Sequence, residues 1–122
     1  MNDRITKKVV VDAGHGGSDP GASSADVIEK EYNLKIANYI YNRLKELGIP
    51  TYITRSTDET ITPTDRVNRI LNAFGNSNDV IVLSNHLNAG GANGKNVGKA
   101  SSILFALKKD FGLMFKFFFL YR

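Results

Sequence analysis

The chain has 122 residues, 42% of them hydrophobic and 23% charged, which fits one soluble globular unit and excludes disordered, fibrous and two-domain readings. It has no cysteine, so disulfide frameworks and thiolate metal sites are excluded, and His, Asp and Glu are the strong metal ligands left. The net charge of +4 divides unevenly: residues 1–94 carry 10 Lys+Arg against 11 Asp+Glu, and residues 95–122 carry 6 against 1. A near-neutral body without a basic stripe argues against a nucleic-acid partner.

At the start, Arg4, Lys7 and Lys8 precede a run of three valines, shorter than the roughly 7 to 15 apolar residues of a secretory signal, so no signal peptide is expected. Lys8 to Asp12 (KVVVD) reads as a buried strand ending in glycines. Ala13 to Ala25 holds Gly14, Gly16, Gly17, Pro20 and Gly21, and reads as a loop. From about Ile28, Leu34, Ile36, Ala37, Ile40, Tyr41, Leu44 and Leu47 recur at helical spacing up to Gly48, a natural terminator. Pro50 to Thr54 reads as a second strand and Arg55 to Thr60 as polar loop. A second helix is expected over 62–74, with Pro63 in its first turn, Val67, Ile70, Leu71 and Phe74 on one face, and Gly75 as its stop. Asp79 to Ser84 (DVIVLS) reads as a third strand, running into Asn85 and His86.

Strands alternating with helices imply an α/β fold, with a largely parallel or mixed sheet and helices on both faces. In such sheets ligands gather beyond the carboxyl ends of the strands. The only two histidines, His15 and His86, both fall just after such ends, so the spacing predicts that they are neighbours. A catalytic zinc takes about three protein ligands and keeps one position for water. Glu29 or Glu31, at the start of the first helix, could supply the third; equally, Asp26 to Glu29 has capping-box spacing, with Asp26 as N-cap. A nucleotide cradle is disfavoured, because the loop lacks GxGxxG and Gly-Lys-Ser/Thr.

Val11 to Ala22 (VDAGHGGSDPGA), Glu29 to Leu34 (EKEYNL), Thr54-Arg55, Arg66 and Ser84 to Ala89 (SNHLNA) follow one another in an order that resembles the zinc-dependent N-acetylmuramoyl-L-alanine amidases of the amidase-3 type. The resemblance covers about residues 6–94. It implies that His15, Glu29 and His86 bind Zn²⁺, and that the substrate is peptidoglycan or a muropeptide, cut between the lactyl group of N-acetylmuramic acid and L-alanine. The place of action would be the bacterial cell wall, as for an autolysin or endolysin, reached by lysis or another route. Asp12 could orient His15 or cap the loop; Glu31 could support the site or simply open the helix. Asn85 and Asn88 could contact substrate or satisfy loop backbone, and Arg55 and Arg66 are explained as well by ion pairs as by substrate contacts.

After about residue 94 the family pattern has no match. Residues 95–122 contain no glutamate, so the family's late general acid/base glutamate is unmatched and binding without turnover becomes the alternative function. Residues 1–94 therefore read as the N-terminal part of the catalytic domain and 95–122 as a divergent basic, Phe-rich tail, with the family's C-terminal elements missing. Ser101 to Leu107 could pair as a strand, whereas Phe111 to Arg122 shows neither helical nor strand alternation. The longest apolar stretch, Phe111 to Tyr121, is interrupted by Lys116 and falls short of the roughly 18 residues of a membrane span. An unpaired edge and the Phe-rich tail would favour self-association.

Overall fold

A computed structural model of the protein describes residues 7–24, 26–88, 102–109 and 113–120, the last two segments as backbone. Strand β1 (Lys8–Ala13) leads through the glycine loop to helix α1 (Glu29–Glu46), strand β2 (Thr51–Ile53), helix α2 (Pro63–Phe74), and strands β3 (Val80–Asn88), β4 (Ser102–Lys109) and β5 (Leu113–Leu120). They form one five-stranded sheet in the order β2-β1-β3-β4-β5. β2 and β3 flank β1 in parallel, and β4 and β5 add antiparallel. The sheet is thus mixed, as expected.

Side-chain alternation along β1 sets the two faces. Val11 and Ala13, both fully buried, pack with Ala37 of α1, and Val9, Ile40, Leu44 and Ile53 close around them. Asp12, between Val11 and Ala13, points the other way and meets Arg66 of α2. The helices therefore lie on opposite faces. Full burial of a valine such as Val10 or Val11 stabilises by about 2 kcal/mol, so β1 is the anchor of the core. α2 is held more lightly: none of its residues is buried, and Val67 and Leu71 of its expected apolar face are 53% and 39% exposed.

Three local expectations differ from the structure. The N-cap of α1 is Ile28, without a side-chain cap, so Asp26 and Glu29 do not form a capping box; the Glu29 carboxylate is engaged elsewhere. β3 runs to Asn88, so His86 lies inside the strand and not beyond its end. The cause is β4, which pairs with β3 from Leu83 to Asn88, past the point where β1 stops opposite Asn85. Leu113–Leu120, within the stretch read as lacking strand character, is β5, consistent with the high strand propensity of its aromatic residues. The β4 and β5 side chains, and with them the apolar surface expected of the tail, lie outside the described residues.

Both helix ends follow from sequence. α2 starts at Thr62, whose Oγ1 accepts from the Asp65 N–H at 3.1 Å, with Pro63 in the first turn. α1 ends in a Schellman turn: Gly48 N–H donates to Lys45 O at 3.0 Å and Ile49 N–H to Leu44 O at 3.0 Å. Gly48 sits at φ 73°, and an added Cβ would meet nothing within 4 Å. Gly48→Ala therefore isolates backbone strain from steric clash. It is expected to destabilise by about 1 kcal/mol in urea unfolding, and an unchanged midpoint would contradict this.

Candidate metal centre

β1 ends at Ala13 opposite Asn85, and β3 continues alone on that side. Asn85 O, facing β1, accepts from Gly14 N–H at 3.2 Å. Two residues on, the Leu87 N–H faces the same way, but β1 has turned into the glycine loop. Its acceptor is instead the Glu29 carboxylate: Leu87 N–H donates to Oε1 at 3.0 Å. The first residue of α1 thus replaces a missing strand partner. The other oxygen, Oε2, accepts from Ala22 N–H at 2.8 Å, while Glu29 N–H donates back to Ala22 O at 2.9 Å.

His15 and His86 converge on this carboxylate. Glu29 Oε1 lies 3.1 Å from His15 Nε2 and 3.1 Å from His86 Nδ1, and the two ring nitrogens are 3.2 Å apart. The imidazoles meet edge to face, at 83° and 4.9 Å between centroids. Room for His86 comes from Gly14, since a Cβ there would collide with the ring. Glu29 is 3% exposed, and burial pushes its pKa up, but the hydrogen bond with His86, the Ala22 N–H, the charge of His15 and the Asn33 amide outweigh burial and leave it below the ordinary value.

These three atoms could hold a metal ion. Four donors at about 2.0–2.1 Å around a tetrahedral ion stand about 3.3 Å apart. The observed triangle, 3.1 to 3.2 Å on each side, matches one face of such a tetrahedron.

The other expected site residues separate clearly. Asp12 does not touch His15. Its Oδ1 accepts from Thr54 Oγ1 at 2.7 Å and Arg66 Nη1 at 2.6 Å, and its Oδ2 from Ser84 Oγ at 2.7 Å, which joins β1 to the residue just past β2, to β3 and to α2. Glu31 is exposed in the first turn of α1, where it suits the helix dipole, away from the triangle. Asn85 is fully buried and its Nδ2 donates to Asn33 O at 3.1 Å, a structural role. Asn88 ends β3, and its side chain lies outside the described residues.

Sequence reasoning did not single out Asp19 or Asn33. Asp19 Oδ2 pairs with His15 Nδ1 at 2.8 Å. Asn33, one turn along α1 from Glu29, donates to Gly14 O at 3.1 Å and Glu29 Oε1 at 3.3 Å. The available signals were a carboxylate four residues after a loop histidine and an amide four residues after the ligand glutamate. Arg55, expected to open a polar loop, is 1% exposed. Its Nε donates to Ala13 O at 3.1 Å, and its Nη2 to Gly14 O at 2.9 Å and Lys30 O at 2.8 Å. Arg66 adds Nη2 to His15 O at 2.9 Å. The two arginines donate to the carbonyls of the β1-to-loop turn, and Arg66 also pairs with Asp12.

Because Arg66 is 18% and Asp12 4% exposed, Asp12→Ala would leave a largely buried cation unpaired. It is expected to cost about 3 kcal/mol or more in urea unfolding, and a loss below about 1 kcal/mol, typical of a surface pair, would contradict the scaffold role.

Residues 9–106 match the family described as N-acetylmuramoyl-L-alanine amidase, a span that continues past residue 94 into β4. The N-acetylmuramoyl-L-alanine amidase CwlM of Bacillus licheniformis is 37% identical over 89 residues, which is 71% of this chain and 34% of that protein. Among solved structures, an N-acetylmuramoyl-L-alanine amidase from Clostridium difficile 630 superposes with a TM-score of 0.64 at 29% identity, over 80% of this chain and 50% of that one. The catalytic domain of CwlV, an N-acetylmuramoyl-L-alanine amidase from Bacillus (Paenibacillus) polymyxa var. colistinus, gives 0.61 at 34% identity, over 70% and 48%. The chain covers between 18% and 39% of the length of the curated relatives that it matches here. With the matching motifs, the shared fold and a family match across most of its length, the chain belongs to the N-acetylmuramoyl-L-alanine amidase family.

Proposed function

We propose that this chain is the metal-binding part of a zinc-dependent peptidoglycan amidase, with His15, Glu29 and His86 as ligands, which hydrolyses the amide between the lactyl group of N-acetylmuramic acid and L-alanine. The observation that carries this is the triangle of two imidazole nitrogens and one carboxylate oxygen, at 3.1 to 3.2 Å from one another. Two neutral donors and one anion, with no thiolate in the chain, suit zinc. Bound there, zinc supplies a Lewis acid for the amide carbonyl and a water acidified toward neutral pH. Glu29 contributes the anionic donor, and the Leu87 and Asn33 N–H groups hold its Oε1 in place. The cell wall is the corresponding site of action. Among the described residues no helix is long and apolar enough to cross a membrane.

One observation favours a second reading, a zinc- and muropeptide-binding module without turnover. Among the described residues, the carboxylates that touch the triangle are Glu29 and Asp19, and both are engaged on both oxygens. Neither is free to move a proton between water and the leaving amine. Loss of a general base typically costs about 10²-fold or more in rate.

The test is the zinc content of purified wild type and His86→Ala, with release of stem peptides from muropeptide scored in parallel. One zinc per chain in wild type, lost in the variant, is expected. Affinity should fall as pH is lowered, because protons compete for both imidazoles and Glu29. Peptide release identifies the hydrolase, zinc without release identifies the binding module, and no zinc in wild type overturns both.

A further inference from the structure

The glycine loop closes on itself between Gly16 and Asp19: Gly16 N–H donates to Asp19 O at 2.9 Å, and Asp19 N–H to Gly16 O at 3.1 Å. This turn brings the Asp19 side chain back onto His15. Oδ2 lies 2.8 Å from His15 Nδ1, and Oδ1 accepts from Gly21 N–H at 3.1 Å. The carboxylate is thereby fixed at both ends and has no proton to give, so the hydrogen in the Asp19–His15 contact belongs to the imidazole. In the neutral imidazole His15 Nε2 then carries the lone pair, and it faces Glu29 Oε1 at 3.1 Å, another acceptor. Two acceptors at this distance repel unless a proton or a metal ion lies between them.

His15 is also the only non-glycine residue with positive φ among the described residues, at 60°. That conformation is disfavoured for a residue with a Cβ, and it persists where surroundings over-determine it. Arg66 holds the main chain through His15 O, and Asp19 holds the ring.

We propose that Asp19 is a positioning residue, which fixes His15 as its Nδ1–H tautomer so that the Nε2 lone pair points into the metal triangle. This rests on the zinc reading of that triangle. A carboxylate behind a ligand imidazole orients the ring and raises its strength as a donor. The Asp19 side chain is 62% exposed, and an ion pair that open to water adds little to folding. Its effect is therefore separable: removing it should weaken the site and leave the fold intact.

Asp19→Ala and Asp19→Asn test this by three readouts: zinc affinity from competition with a chromophoric chelator, the His15 tautomer from ring nitrogen shifts of the metal-free protein at mildly alkaline pH, and thermal unfolding. Asp19→Ala is expected to bind zinc about 10- to 100-fold more weakly, with the metal-free unfolding midpoint unchanged. Wild-type His15 should carry its proton on Nδ1, and Asp19→Ala should show a mixture. Asp19→Asn, which can present an amide oxygen to the same N–H, should recover most of the affinity. Wild-type affinity in Asp19→Ala, or an Nε2–H tautomer in wild type, would overturn the proposal. A wild type that binds no zinc but shows the Asp19-dependent tautomer would overturn the metal reading alone and support the positioning role.

Discussion

A buried carboxylate at the first residue of a helix organises this end of the molecule. Glu29 is almost fully buried, and its two oxygens take N–H groups from the glycine loop, from β3 and from α1, while two imidazoles approach Oε1. Burying a charge is unfavourable unless it is paired and hydrogen-bonded, so these groups must arrive together. Each comes from a different segment. The position of Glu29 therefore depends on β1 stopping at Ala13, on β3 running past it, and on α1 starting where the loop returns to the sheet.

The supports form two layers around that charge. Arg55 and Arg66 collect the carbonyls of Ala13, Gly14 and His15 as the chain leaves the sheet at the end of β1, so that these buried acceptors are satisfied. Burial, followed by the charge of Arg66, lowers the pKa of Arg55 against the opposing charges of Asp58, Asp12 and Glu59, and the carbonyls around it accept hydrogen bonds from its N–H groups. Asp12 answers the charge of Arg66 and also ties β1 to β3 and to Thr54, just past β2. Outside these, Lys30 Nζ bridges Gly17 O at 2.8 Å and Asp58 Oδ2 at 2.7 Å, and Asp58 Oδ1 accepts from Gly17 N–H at 2.7 Å, so the loop after β2 braces the glycine loop. The histidines stand on this frame.

Much of it was legible in the sequence for identifiable reasons. Val9 to Val11 and Val80 to Leu83 are apolar runs that fit strands with covered faces, and Gly48 and Gly75 mark helix ends by their backbone freedom. The placing of His15 just past β1 follows from the rule about strand ends, and Glu29 follows from the motif resemblance. What stayed hidden depends on pairing between distant segments. His86 inside β3 is a consequence of β4 on its free edge, and composition near His86 carries no sign of that partner. Arg55 looks like a surface residue because its burial comes from carbonyls supplied by β1 and α1. Asp12 and Asp19 are both acids near His15, and the alternation of β1 turns one into the opposite face while a four-residue turn folds the other back. Local spacing alone does not distinguish them.

The central claim is that His15, Glu29 and His86 together hold one zinc ion. Zinc-edge X-ray absorption of the zinc-loaded full chain tests it most directly, compared with Glu29→Gln. The account predicts two imidazole nitrogens and oxygen donors at about 2.0–2.2 Å in a four-coordinate site, with the site weakened or lost in Glu29→Gln. Coordination by one imidazole or none, or a spectrum unchanged by the Glu29 substitution, would contradict it.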